Sequence, residues 1–300
     1  MKTVKLSVLF FILSITGTSF AQLDKPVFQL SLGLAQPLDE LAGNSFITKY
    51  QFTDPNNVVY YYDAVDTNLF KDNLGAKTGF SLQGSAKINL DKYSIVRGVG
   101  FIAFNSFNTF ETSRTGTQLR LLGGTYTPVP IKYDYSISTF SIGLGLEVAP
   151  TSFTDIISPY IGANVSFNSF SSSLDRIEGT RTDTNRFSAS SFRIGVNFNA
   201  GIEAKLSPQF GLAVGTQYNL GNLLLKQSPN LSPSDDIYEW GRTNSTLYDG
   251  EGSYYSYLQN AIANNNNAPA YKSKDKKWNW ASFYIALNFY PNALDNEKKK

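Results

Sequence analysis

Six ionisable residues interrupt stretches whose neighbours otherwise alternate between apolar and small polar types: Lys87, Arg97, Glu147, Arg193, Glu203 and Lys205. Two carboxylates among four cations suit two kinds of chemistry. They can neutralise one another as a salt-bridged polar core, or line a constriction that selects small charged solutes. Covalent chemistry is poorly provided for. The 300-residue chain has no histidine, which removes the commonest general base, the imidazole of nucleophile triads and the commonest metal ligand. It has no cysteine either, so there is no disulfide framework, thiolate metal site or lipidated cysteine. Carboxylates such as Asp63, Asp66 and Asp72 are scattered through a polar segment, with the spacing of solvated loop charge and no calcium-loop motif. Gly98-Val99-Gly100 and Gly143-Leu144-Gly145 have the composition of phosphate loops, but neither opens a helix, and they read better as strand glycines that relieve crowding. The expectation is a non-enzymatic protein with no metal and no other cofactor.

The elements that must position these charges are strands. From Phe192 to Leu206 every second residue is apolar (Phe192, Ile194, Val196, Phe198, Ala200, Ile202, Ala204, Leu206), while Arg193, Gly195, Asn197, Asn199, Gly201, Glu203 and Lys205 fill the gaps. Side chains alternate across a strand, so one face is wholly apolar and the other is charged or polar. Seven further segments share the pattern, at 27–35, 77–88, 93–104, 135–148, 160–168, 210–220 and 278–290. The facing of 93–104 is ambiguous, because turning Arg97 inward also turns Val99 and Phe101 inward. Three connections are short (89–92, 149–159, 207–209) and four are long (36–76, 105–134, 169–190, 221–277). Short turns on one side and long loops on the other predict an all-β fold: a closed antiparallel up-and-down transmembrane β-barrel of eight strands with long extracellular loops. Segments 46–52 and 58–62, flanking the Asp54-Pro55 turn, could form a hairpin standing above the membrane; counting them as spanning gives the alternative of ten strands. Ser253 could cap a short helix carrying Tyr254, Tyr257, Leu258 and Ala261 on one face.

Within such a barrel a charge on the lipid face costs about 2 to 4 kcal/mol at midplane, so all six charges are expected in the lumen. Lys87, Arg97, Glu147, Glu203 and Lys205 fall towards the short-turn end, and Arg193 towards the long-loop end. An eight-stranded barrel is just wide enough to be filled by its own side chains. Aromatic residues are expected at both rims: Trp278, Trp280, Tyr218 and Phe167 at the long-loop edge, and Tyr93, Tyr160, Phe210 and Tyr290 at the short-turn edge.

Residues 1–21 read as a cleavable secretory signal, with Lys2 and Lys5, an apolar run from Leu6 to Ile15, and Ser19 and Ala21 before the cleavage point. Residues 22–291 form the barrel and 292–300 a polar basic tail. Beyond the signal no apolar run approaches the ~18 residues of a membrane helix, so insertion must be by strands. A mean hydropathy of −0.21 is what polar lumen residues offsetting lipid-facing ones produce. The net charge of +2, from 26 basic and 24 acidic residues, is too balanced for a nucleic-acid surface.

On the run Ser138-Thr139-Phe140-Ser141-Ile142-Gly143-Leu144-Gly145-Leu146-Glu147, the strand start Pro159-Tyr160-Ile161-Gly162-Ala163 and the closing Phe283-Tyr284-Ile285-Ala286-Leu287-Asn288-Phe289-Tyr290, the chain resembles the small outer-membrane β-barrel proteins of the OmpA/OmpX-like kind, over residues 27–291. That resemblance implies residence in the outer membrane of a Gram-negative cell, contact with its lipid, and handling by the barrel-assembly machinery. In that family a terminal aromatic residue is read during assembly. Phe289 and Tyr290 look like that signal, although residues 291–300 follow them. The functional expectation is a barrel whose surface loops serve envelope integrity or bind an extracellular ligand. Two alternatives are a porin-like narrow pore or transporter for small solutes, and a secreted soluble barrel that binds ligands inside.

Overall fold

A computed structural model describes residues 26–43, 47–65, 73–91, 95–109, 114–122, 124–150, 157–178, 184–229, 247–254 and 271–291. The 1–21 signal, the 292–300 tail, Tyr93, Asp66, Asp72 and most of the proposed loop helix lie outside them. The described elements are thirteen strands: β1 (Val27–Asp39), β2 (Ile47–Thr53), β3 (Val59–Val65), β4 (Lys77–Asn89), β5 (Val96–Asn108), β6 (Arg114–Leu122), β7 (Thr125–Val148), β8 (Ile157–Glu178), β9 (Thr184–Lys205), β10 (Phe210–Leu224), β11 (Gly252–Tyr254), β12 (Tyr271–Ser273) and β13 (Trp278–Phe289). Eight of them close into one antiparallel barrel in the order β1, β4, β5, β7, β8, β9, β10, β13, with β13 returning to β1 and β5 pairing directly with β7.

The burial pattern is that of a globular protein turned inside out. Ile161, Val214 and Ile285 are 64%, 61% and 64% exposed, whereas Asn168, Glu147 and Lys87 are 0%, 1% and 2% exposed. Around the wall, Phe28, Leu30, Leu32 and Leu34 of β1 stand outward beside Phe283, Ile285 and Leu287 of β13. Apolar groups gain nothing from facing water, so this outer band requires lipid. The period-two pattern therefore becomes the wall itself, and β5 joins it with Arg97, Val99, Phe101 and Ala103 inside. Phe101 reaches across to Gly143 of β7, where an added Cβ would fall 2.2 Å from its ring. Glycine at that place is a lumen-packing requirement.

Short turns close one end. In the β4–β5 turn Leu90 N donates to Val96 O at 2.9 Å, and in the β9–β10 turn Phe210 N donates to Ser207 Oγ at 3.0 Å. At the other end β2 and β3 pair only with each other, around a turn in which Asp54 Oδ1 accepts from Asn56 N and Val58 N. This hairpin is not part of the barrel, which has eight strands. The segments 105–134 and 169–190, expected as loops, are largely strand: β8 and β9 run 22 residues each and stay paired out to Ile177↔Thr184, and β6 adds to the outer part of β7. Their sequence hides this because apolar alternation disappears once neither face meets lipid. Ser253 starts no helix; it lies in β11, opposite Lys272.

The aromatic rims need correction. Trp278 and Trp280 are 0% and 2% exposed, Tyr160 is 3% exposed, and all three point into the barrel. Parity explains it: Trp278 and Trp280 share a face with Ser282 and Asn288, and Tyr160 shares one with Asn164. Tyr290 continues the inward parity of Asn288, and its hydroxyl lies against Gly211 inside the short-turn mouth. Tyr218, Phe167 and Phe210 do face outward. The rims are built chiefly of phenylalanine instead. Phe28, Phe289 and Phe210 align across β1, β13 and β10 at the short-turn edge, and Phe104, Phe140 and Phe192 lie near the long-loop edge.

Candidate functional site

The lumen holds two polar knots, one at each end. At the short-turn end Lys87 (β4), Arg97 (β5), Glu147 (β7) and Glu203 (β9) form a closed ring of alternating charge. Lys87 Nζ lies 2.7 Å from Glu203 Oε1 and 3.2 Å from Glu147 Oε2, Arg97 Nη1 lies 2.8 Å from Glu203 Oε2, and Arg97 Nη2 pairs with Glu147 Oε1. Arg97 and Glu147 are direct neighbours in the β5–β7 register, while Glu203 reaches them from the opposite wall. All four are nearly inaccessible to solvent, and their formal charges sum to zero. Asn199 Nδ2 also donates to Glu147 Oε2, at 3.1 Å.

Tyr160 covers this ring. Its aromatic face lies 4.5 Å from Lys87 Nζ, and its hydroxyl shares a 2.8 Å hydrogen bond with Tyr284. Gly201 and Gly215, opposite each other in the β9–β10 register, leave the space for the two hydroxyls; an added Cβ would fall 2.4 Å and 2.5 Å from that of Tyr160. Lys205, expected in the cluster, is absent from it. It is the last residue of β9, exposed, with Nζ 5.6 Å from the Tyr290 ring. Two residues beyond Glu203 the lumen opens to water, where an ammonium keeps its hydration at no cost.

Arg193 is fully buried at the long-loop end, and its partner is a residue the sequence reading did not single out. Its guanidinium grips Asp249 with two 2.8 Å bonds, from Nε to Oδ2 and from Nη2 to Oδ1, and it donates to the carbonyl oxygens of Leu247 and Phe192. Asp249 also accepts from Asn222 Nδ2 and Gln227 N, while Asn222 accepts from Trp278 N. Lys276 Nζ donates to Tyr248 O. This network folds the last long connection into the barrel mouth. Beneath it lies a conventional apolar core: Phe107, Tyr135, Ile137, Phe170, Trp278 and Trp280, with Leu41 and Leu74 from the first connection and Leu247 from the last. Phe170 packs edge-on to both tryptophans, with centroids 4.8 and 6.0 Å away. Leu41, Leu74 and Leu247 sit in polar loops with no periodicity to mark them. The only clue to Asp249 was a buried cation, Arg193, without an assigned counter-charge.

Between the knots the lumen is lined by amides and hydroxyls that bond to one another, as Asn164 does to Asn197 at 2.7 Å and Gln217 to Asn219 at 3.0 Å. Among the described residues no group of three or more acidic side chains is placed to hold a metal ion. The arrangement can neutralise charge and fill space; the lumen carboxylates of the ring are already paired with cations.

A family model, the outer membrane protein beta-barrel domain, matches residues 41–239. Among solved structures, the chain is similar to Neisserial surface protein A at 13% identity, covering 88% of this chain and 96% of that one with a TM-score of 0.40. It is similar to Ail, the attachment invasion locus protein of Yersinia pestis, at 11% identity over 88% and 99% of the two chains, TM-score 0.34. For the outer membrane protein OprG of Pseudomonas aeruginosa the values are 10% identity, 88% and 95%, and 0.39. No curated protein matches. With an apolar outside and a polar inside, the secreted soluble barrel is set aside, and the family match over 41–239 makes this chain a member of the outer membrane protein beta-barrel domain family.

Proposed function

We propose that this protein is a closed, non-enzymatic barrel of the outer membrane that presents its loops at the cell surface, in envelope integrity or in binding an extracellular ligand. One observation carries the reading: the lumen is obstructed twice, by a neutral ring of four buried charges near the short turns and by the Arg193–Asp249 plug with its aromatic core at the mouth. A conducting constriction needs charges that a passing ion can exchange with, and here each charge of the ring is already bonded to two others. The absence of histidine and cysteine from the sequence supports the non-enzymatic part. Export by a cleavable signal over 1–21, a barrel domain over 22–291, recognition of the Phe289-Tyr290 end by the assembly machinery, and a basic tail over 292–300 complete the proposal.

Planar-bilayer recording tests it. The purified full-length protein should show no steady single-channel conductance. Steady openings whose size or ion selectivity changes in Arg97→Ala or Glu147→Ala would overturn the closed reading in favour of a narrow pore.

A further inference from the structure

Just above the lipid-facing band, the outer faces of β7, β8 and β9 carry two transverse rows of serine. In register, Ser138 pairs with Ser171 and Ser171 with Ser190; the next row outward is Ser136, Ser173 and Ser188. Together with Ala189 and Ser172 they line a shallow depression of about 300 Å³. With strands about 4.8 Å apart and alternate residues about 6.7 Å apart, the six hydroxyls cover roughly 10 by 7 Å. None of the six joins the side-chain hydrogen bonds found among the described residues, and their hydroxyls face outward from the wall. The row immediately below is Phe140, Ser169 and Phe192, and below that lie Ile142, Phe167 and Ile194. The rings of Phe167 and Phe192 stack at 6.3 Å on this wall.

From this placement we infer that the serine lattice is a binding surface for the uncharged saccharide part of an outer-leaflet glycolipid, whose acyl chains lie along the Phe140, Phe167 and Phe192 wall directly beneath. The chemistry of the lattice selects the ligand. A serine hydroxyl both donates and accepts, which complements a polyhydroxyl ring. Phosphate recognition would call for Arg or Lys, and neither lies among the residues lining the depression. Continuity with the lipid-facing band selects the source, because a molecule resting on these rows sits at headgroup depth. The inference uses the outer face of the wall and is independent of whether the lumen conducts.

Full-length protein in nanodiscs should be offered three probes: rough lipopolysaccharide with its core saccharide, lipid A without it, and the delipidated core saccharide, with retained ligand counted by native mass spectrometry. The wild type should prefer the core-bearing glycolipid over lipid A about tenfold, the effect of a few neutral hydrogen bonds. The Ser138→Ala/Ser171→Ala/Ser190→Ala variant should lose that preference while keeping its heat-modifiable gel mobility. Should that variant fail to fold, Ser171→Asn, which fills the centre of the depression, should abolish the preference by itself. No preference in the wild type, or the same preference in a folded variant, overturns the assignment. So does binding of the delipidated saccharide as tight as that of the glycolipid, since the ligand would then come from solution.

Discussion

Glu203 shows how much one side chain can hold together. It accepts from both Lys87 and Arg97, and it is the member of the ring that crosses the lumen from β9. Burying four charges is costly, and the arrangement is stable only while every charge keeps its partners. Glu203→Gln leaves one uncompensated cation inside a low-dielectric wall, so the unfolding free energy should fall by about 3 to 5 kcal/mol. Urea titration of the protein refolded into vesicles, followed by the loss of heat-modifiable mobility, measures this. Pairing Glu203→Gln with Lys87→Met restores neutrality and should recover about 1 to 3 kcal/mol of the loss. Additive losses in the double variant would mean that the two residues do not share one network. The sequence identified Lys87, Arg97, Glu147 and Glu203 as one group because period-two parity and distance from the nearest short turn place them on the same face at one depth. It misplaced Lys205 because parity carries no information about where the lumen ends.

At the scale of the strand, the wall discriminates sharply between the two faces of one strand. Val214 of β10 is 61% exposed to what must be lipid, and Gln217 is 5% exposed within the lumen, donating to Asn219. Val214 lies near the middle of the span over which β10 pairs with β13, and Val214→Arg should destabilise the barrel by about 2 to 4 kcal/mol. Gln217→Ala removes one neutral hydrogen bond and should cost about 0.5 to 1.5 kcal/mol. The same refolding titration compares them, and equal effects would contradict the facing. The eight spanning strands were legible because lipid on one side and a polar lumen on the other impose opposite solvents every second residue. The outer halves of β7, β8 and β9 were not, since beyond the aromatic row the outer face turns to serine while Tyr135, Ile137 and Phe170 turn inward to the mouth core, so the alternation inverts, and Ser171, Ser172 and Ser173 carry none. Trp278 and Trp280 were misread for a related reason. Their residue type suggests an interface, and only their shared parity with Ser282 reveals that they point inward.

For the whole molecule the two knots act in series. Breaking one leaves the other, so Asp249→Asn, which loosens the grip of Arg193 on the last connection, should leave planar-bilayer conductance near the wild-type baseline. It should speed cleavage of that connection by trypsin added outside vesicles, and the barrel itself should stay intact. A channel should appear only when the outer substitution is combined with Glu147→Ala/Arg97→Ala in the ring. Conductance in Asp249→Asn alone would show that the ring is no barrier. This arrangement also explains the composition of the interior: the main apolar cluster lies at the mouth, where Phe107, Phe170 and the two tryptophans meet loop residues, and the middle is filled by amides and hydroxyls together with Phe101 of β5 packed on Gly143.

The 22-residue strands have a consequence for what the cell presents to its surroundings. From Ser169, level with the upper aromatic row, β8 continues nine positions to Glu178, paired with β7 throughout and with β9 as far as Ile177. At about 3.3 Å per residue that is roughly 30 Å of strand, as much as the hydrocarbon thickness the barrel crosses below. On that flank, built of β7, β8 and β9, the wall therefore continues as paired strand well past the row of Phe140 and Phe192. On the proposed orientation, a large body approaching that flank, whether an antibody, a phage tail or another cell's surface, would meet hydrogen-bonded sheet, whose shape is fixed by its neighbours on both sides.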